Sequence, residues 1–354
     1  MNQSGEQEGI IPGLERSPRR VVVAQLAFIG DMVFSTPLLA ALRARWPDSE
    51  LLIVGRPAAL EVLEDHPSSP SLMPYDKDRD RGWSALRAAG AALSRWKPDL
   101  SLAVSRSLRS ALLTRLSGAP TRVGFNSRGC NWAYTHTVDR NDATTPFPER
   151  PMRLLQALGI EARTEPLLLA VSAARRAASA HRLRAAGWGP GPLLAIAPGA
   201  HYATKRWPES HYAKLLQMIE RKTDWWVALY GGPAEEPLMQ RLAEARTRVL
   251  LRSGIGIRGV LSELPHANGF LGGDSGPAHM ARALGVPALI LHGPTDPRPL
   301  SDGRDYPSLS LGIDCQPCSP HGDKVCPLKH HRCMIDLTAE HVFDALTARV
   351  LVAS

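Results

Sequence analysis

Asp31 stands in the segment Phe28-Ile29-Gly30-Asp31-Met32-Val33-Phe34-Ser35-Thr36-Pro37, between an apolar run and a helical period. A carboxylate at the carboxyl end of a strand, beside a glycine that permits a tight turn, can take the proton of a substrate hydroxyl. The same place suits a carboxylate that only caps the following helix, so both roles are open. A second strand-to-helix passage holds Ala197-Pro198-Gly199-Ala200 and then Thr204-Lys205-Arg206-Trp207-Pro208. Lys205 and Arg206 are expected at a cleft mouth, where a cation neutralises a nucleotide phosphate and the charge that grows as a diphosphate leaves. Two solvated surface cations would read the same way.

The third passage is Gly272-Gly273-Asp274-Ser275-Gly276-Pro277-Ala278-His279. Small residues let backbone N–H groups approach a phosphate, and a helix N-terminus favours its charge. Asp274 or Ser275 capping a helix with Pro277 in its first turn is compatible with that reading. His279 falls in the same first turn, within reach of a ligand. Two other patterns carry less. Gly254-Ile255-Gly256-Ile257-Arg258-Gly259 fits a dinucleotide fingerprint but lies in the middle of the second half rather than after its first strand. Asp76-Lys77-Asp78-Arg79-Asp80 alternates acids with cations and reads as a solvated loop rather than a metal site.

Four of the five cysteines crowd together as Cys315-x2-Cys318-x7-Cys326-x6-Cys333, with His321, His330 and His331 nearby. Four thiolates at this spacing can enclose a tetrahedral structural metal, zinc or iron. Four reduced thiols in a tucked loop, or two disulfides in an oxidising compartment, are the other readings.

The elements that must position these groups follow from periodicity. Strands are expected at 21–26, 51–54 and 100–104, and helices at 33–46, 58–64, 84–96 and 108–116. The second half repeats the alternation, with strands at 193–197, 225–230, 249–251, 269–271 and 288–291 and a last helix at 338–350. Alternating strands and helices imply parallel sheets covered on both faces. The expected organisation is a disordered leader over 1–19, a Rossmann-like domain over 20–165 and a linker over 166–191, an Ala/Arg-rich helix that runs into the Gly/Pro-dense stretch from Gly187. A second Rossmann-like domain over 192–337 includes the cysteine segment 315–333, and a C-terminal helix spans 338–354. Two doubly wound domains place a ligand in the cleft facing the carboxyl ends of both sheets.

At 354 residues and 44% hydrophobic residues the chain is long and apolar enough for two cores. Its net charge of +8 is spread without long runs, which suits an anionic substrate or membrane surface better than a nucleic-acid grip. Residues 21–42 could pass for a membrane span, but Gly30, Asp31 and Pro37 interrupt them at the centre. Arg19 and Arg20 imitate an export signal without a small-residue cleavage site, so a cytoplasmic protein is expected.

Taken in order, Gly30-Asp31 with Thr36-Pro37, the P-G-A before Lys205-x-Trp207-Pro208, Tyr230-Gly231-Gly232 with Glu235-Glu236, and Asp274-Ser275-Gly276-Pro277-x-His279 resemble the family nine glycosyltransferases, the ADP-heptose:lipopolysaccharide heptosyltransferases. The resemblance covers about residues 20–350, and the cysteine segment is most similar to the heptosyltransferase II branch. It implies a GT-B fold and an inverting transfer that needs no cofactor for catalysis. The donor, ADP-heptose, would lie in the second domain, and the acceptor, the inner core of lipopolysaccharide, in the first. Asp31 matches the catalytic base, Lys205 the phosphate-binding lysine, Asp274 the carboxylate contacting the donor heptose, and Ser275, Gly276 and His279 the diphosphate turn. Gly231 belongs to the donor motif, and Glu235 or Glu236 matches an acid near the nucleoside. Ala200 and His201 depart from a threonine pair found in some members. Arg106, Arg109 and Arg122 are placed where an anionic acceptor would lie, and contact with the inner membrane would be peripheral. A family nine transferase using another sugar or acceptor, such as a protein or O-antigen, and a non-catalytic binding protein built around the cysteine module are the alternatives.

Overall fold

The computed structural model describes residues 17–80, 82–141, 145–161, 166–298 and 308–350. It divides into two compact units, 1–167 and 168–354.

The first unit is built on a six-stranded, all-parallel sheet. Its strands are β1 Arg20–Gln25, β2 Glu50–Gly55, β3 Ser71–Pro74, β4 Leu100–Ala103, β5 Thr121–Phe125 and β6 His136–Val138, in the order β3-β2-β1-β4-β5-β6. Val21, Val22 and Val23 in β1 are fully buried, as a central strand with helices on both faces requires. Val22, Leu26 and Val54 pack with Leu86, Leu93 and Leu113. The helix expected at 33–46 is two helices, Ile29–Val33 and Thr36–Arg45. Ser35 Oγ bonds back to the Asp31 carbonyl at 2.8 Å and Pro37 brings no N–H, so the chain turns between them. Strand and broken helices thus replace the apparent membrane span, and among the described residues no helix is long and apolar enough to cross a membrane.

The second unit repeats the plan with β7 Leu193–Ala197, β8 Trp226–Gly231, β9 Val249–Ser253, β10 Gly269–Gly273, β11 Ala288–Leu291 and β12 Ser308–Leu309. Its order, β12-β11-β10-β7-β8-β9, is the same winding, and every pairing is parallel. Leu194, Ile196, Leu229, Leu271 and Leu289 meet helix side chains such as Leu215, Ile219 and Phe343 in its core. The Ala/Arg-rich helix expected within the 166–191 linker is Ala173–Ala185, and it falls in the second unit. Ser179 Oγ bonds the Ser262 carbonyl at 2.8 Å and Leu169 N–H bonds the Ala283 carbonyl at 3.0 Å, so this segment is packed rather than spanning. The last helix runs Ala339–Arg349. The leader expected over 1–19 lies, up to residue 16, outside the described residues.

In a doubly wound sheet the loops that can grip a ligand are those after the two strands where the winding reverses. Those strands are β1 and β4 in the first unit and β7 and β10 in the second. Asp31 follows β1, Lys205 follows β7 and Asp274 follows β10.

Candidate functional site

In the first unit the loop after β1 is held from beneath. Gln25, 3% exposed, donates to the Asp31 carbonyl at 3.2 Å and to Ser35 Oγ at 3.0 Å, and its own carbonyl oxygen accepts from Ala27 N–H at 3.3 Å. The Asp31 side chain is exposed, and its Oδ2 accepts the Phe28 N–H at 3.2 Å. Asp31 therefore does cap its short helix, and one carboxylate has further lone pairs for a second partner. Gly30 lies in the same helical turn. Sequence reading missed Gln25 and Ser35, the two buried polar residues that fix this turn.

The arginines placed near an acceptor are engaged within the unit. Arg109 donates to Tyr75 OH at 2.7 Å and the Asp80 carbonyl at 2.9 Å, and Arg122 to the carbonyls of Ala133 at 2.9 Å and Ala119 at 2.6 Å. Arg109 thus ties its helix to the 75–80 segment and Arg122 holds the loops beside its own strand, while Arg106 is exposed. The 76–80 segment closes on itself, Asp76 N–H to Asp80 Oδ2 and Asp78 N–H to Asp76 Oδ1, each at 2.9 Å.

In the second unit the three motif segments meet. Lys205 Nζ lies 2.6 Å from Asp274 Oδ2 and 3.2 Å from the Asp274 carbonyl, and His279 Nε2 lies 3.2 Å from Asp274 Oδ1. Thr295 Oγ1 donates to Asp274 Oδ2 at 3.1 Å and lies 3.4 Å from His292 Nδ1. Burial opposes ionisation of Asp274, yet the hydrogen bond and charge from His279, with Lys205 and His292, hold its carboxyl well below the usual range. Burial pushes His279 down against the pull of Asp274, and it pushes His292 down to about 4. The site thus carries an ionised carboxylate beside an ammonium on a low-dielectric floor. Arg206 does not share it, since its Nε donates to the Ala200 carbonyl at 2.8 Å and closes the loop.

Ser275 caps the helix Gly276–Ala283 with extended backbone, and among the described residues its Oγ has no hydrogen-bond partner. Pro277 removes an N–H that the first turn could not have satisfied. The two acids offered for one role separate. A Cβ on Gly231 would stand 2.8 Å from Glu235 Cβ, so the glycine makes room for that side chain, whose Oε2 accepts the Gly232 N–H at 3.0 Å. Glu236 instead faces Gln240 along its helix, at 3.4 Å.

Thr295 and His292 were not foreseen, although they follow β11 at the carboxyl edge where loop residues enter such sites. The Gly254–Gly259 pattern lies beyond β9, at the sheet edge, with Gly256 opening the helix Gly256–Glu263.

The four cysteines expected to hold a metal, Cys315, Cys318, Cys326 and Cys333, are free thiols. Among the described residues no three Cys, His, Asp or Glu side chains are gathered to hold a metal ion. Cys333, 5% exposed, is drawn into the hydrophobic core beside Met334, and burial pushes its thiol up to about 11, while Cys318 stays on the surface. The arrangement does not fit the group that the spacing suggests.

A description of glycosyltransferase family 9 (heptosyltransferase) matches residues 86–330. The chain belongs to this family. It is 27% identical over 336 residues to lipopolysaccharide heptosyltransferase 1 of Pseudomonas aeruginosa, covering 91% of this chain and 92% of that one. It is 24% identical over 332 residues to lipooligosaccharide heptosyltransferase 2 of Campylobacter jejuni, covering 90% and 94%. Relatives of both names match at similar distance, so the branch suggested by the cysteine segment is not resolved. Among solved structures, a family 9 glycosyl transferase from Veillonella parvula superposes with a TM-score of 0.84 at 22% identity, covering 95% of this chain and 98% of that one. An E. coli heptosyltransferase solved with ADP-2-deoxy-2-fluoro heptose superposes with a TM-score of 0.72 at 22% identity, covering 93% and 99%. Both expected GT-B halves are present as two six-stranded parallel sheets.

Proposed function

We propose that this family 9 enzyme is an inverting transferase that moves heptose from ADP-heptose to the inner core of lipopolysaccharide, with Asp31 as general base. The acceptor hydroxyl oxygen attacks the anomeric carbon from the face opposite the diphosphate. A C–O bond forms there as the bond to the diphosphate breaks, ADP leaves with that electron pair, and the hydroxyl proton passes to the Asp31 carboxylate. Lys205 and the N–H groups at Ser275 and Gly276 meet the charge that grows on the leaving diphosphate. Glu235, beside Gly231 and Gly232, stands at the nucleoside.

The observation that carries this reading is the Lys205–Asp274–His279 cluster, which joins the loops after β7 and β10 at the point where the sheet's winding reverses. An ammonium held 2.6 Å from a carboxylate is oriented by the protein itself, which lowers the cost of ordering it on a diphosphate. We place the reaction in the cytoplasm, with peripheral contact to the inner membrane supported by the net charge of +8.

The test follows ADP release from ADP-L-glycero-D-manno-heptose with and without a heptose-truncated lipopolysaccharide acceptor. The expected result is acceptor-dependent release that falls by about two or more orders of magnitude in Asp31→Asn, with ADP binding almost unchanged. Loss of ADP binding in that variant would overturn the role of Asp31. No release with any acceptor, while ADP still protects against unfolding, would move the search to other sugars.

A further inference from the structure

The cysteine-bearing segment does not gather a metal, but it is tied to the loop that carries Lys205. Thr204, 4% exposed, donates from both N–H and Oγ1 to the Asp323 carbonyl, at 3.2 and 2.9 Å, and accepts the Asp323 N–H on Oγ1 at 2.8 Å. Its carbonyl accepts from His331 Nε2 at 2.8 Å. These bonds span 119 and 127 residues of sequence. They saturate every polar group of the residue immediately before Lys205.

Contact with the lysine stem is direct. Gly322 has φ +85°, and a Cβ built there would stand 3.0 Å from Lys205 Cγ and Cε and from Tyr202 Cβ. Its N–H is in turn held by Ser319 Oγ at 3.0 Å. On the other side Gly273 and Gly293 let the Lys205 and Thr204 carbonyls pass, with built Cβ atoms 2.9 and 3.0 Å from those oxygens. The Lys205 loop is therefore seated between strand ends and the 319–331 segment, and its stem runs against Gly322 to reach Asp274.

We infer that residues 319–331 are a positioning element of the donor site, in which His331 and Gly322 set the aim of the Lys205 ammonium. This rests on the reading of Lys205 as the phosphate-binding cation. His331 does not touch the donor in this scheme. It fixes the Thr204 carbonyl, so that the backbone from which Lys205 departs cannot rotate. A displacement of about 1 Å in a group that must meet a phosphate costs up to about a hundredfold.

The test measures ADP affinity by calorimetry, and melting midpoint, in the full-length protein carrying His331→Asn, His331→Gln, Gly322→Ala or Lys205→Ala. Asn tolerates the left-handed backbone at His331 (φ +48°) but is too short to reach the Thr204 carbonyl, whereas a Gln amide can extend to where Nε2 stands. The expected result is ADP binding weakened about tenfold in His331→Asn and Gly322→Ala and near-parental binding in His331→Gln, with midpoints within about 2 °C of the parent in the two His331 variants and lower in Gly322→Ala, where φ +85° strains any side chain. Parental ADP affinity in both His331→Asn and Gly322→Ala, with affinity lost in Lys205→Ala, overturns the positioning role alone. Parental affinity in Lys205→Ala overturns the phosphate reading and this inference with it. Weakened binding that tracks a fallen midpoint, with no rescue by Gln, reduces the segment to a merely structural support.

Discussion

Lys205 and Asp274 hold each other, and their side chains are 13% and 12% exposed. Removing the ammonium takes away the cation offered to a diphosphate and leaves a buried carboxylate with Thr295 and His279 as its neighbours. A charged hydrogen bond contributes about 1.5–3 kcal/mol, so Lys205→Ala is expected to weaken ADP binding by about ten- to a hundredfold in a titration calorimeter. His292 gives a second expectation at this scale. It is fully buried, its Nε2 has no partner among the described residues, and burial pushes its pKa down to about 4. As pH falls below about 6.5 the unfolded chain takes up a proton there, while the folded chain does so only near 4. Folding is therefore progressively disfavoured across that window, by about 2 kcal/mol at about pH 5 from this residue alone. His292→Phe should flatten the loss of stability between about pH 7.5 and pH 5, read as urea midpoints. An unchanged slope would assign the acid sensitivity to other groups.

At the scale of elements, the end of β10 must be free of side chains because the loop after β7 crosses it. A Cβ at Gly273 would lie 2.9 Å from the Lys205 carbonyl oxygen, and a backbone atom cannot step aside as a flexible side chain does. Gly273→Ala should thus cost about 1–3 kcal/mol of stability and weaken ADP binding together, measured by denaturant midpoint and calorimetry on the same preparation. Stability lost with ADP affinity intact would separate the strand end from the site. This crossing also marks what could be read in advance. Central strands such as β1, β2, β7 and β11 are buried on both faces and show as unbroken apolar runs, so periodicity found them. Strands nearer the edges left weaker signals: β3 ends in Pro74, β5 contains Gly124, β6 starts at His136, and β12 is two residues long. Lys205 and Asp274 were legible because each follows a strand that ends in small residues, Ala197 in β7 and Gly272-Gly273 in β10. Their couplings were not. Thr204 with Asp323 and His331, 119 and 127 residues apart, and Thr295 with Asp274, 21 apart, are brought together by the order of strands, and no local pattern records such partners. The cysteine spacing likewise says nothing of Cys333 being drawn into the core by the helix it sits on.

At the scale of the whole molecule, the chain repeats one winding order in two units, each with its own core. The chemistry is not repeated with it. The loop after β1 presents an exposed carboxylate over a buried Gln25–Ser35 pair, whereas the loops after β7 and β10 present an ammonium, an ionised carboxylate and an uncommitted Ser275 hydroxyl at a helix start. Only the second set suits an anion: Lys205 supplies positive charge, and the first N–H groups of the helix Gly276–Ala283 supply donors with no intrahelical use. A ligand that binds one unit stabilises the amides it covers by an amount that grows with its excess over Kd, about 2.7 kcal/mol at a hundredfold excess. Hydrogen exchange with ADP alone is therefore expected to slow at 199–206, 231–236 and 274–280, with no change at 26–36 around Asp31. Slowing at 26–36 without slowing at 199–206 would reverse the assignment of donor and base to the two units, and would make Asp31 a nucleotide contact instead of a proton acceptor.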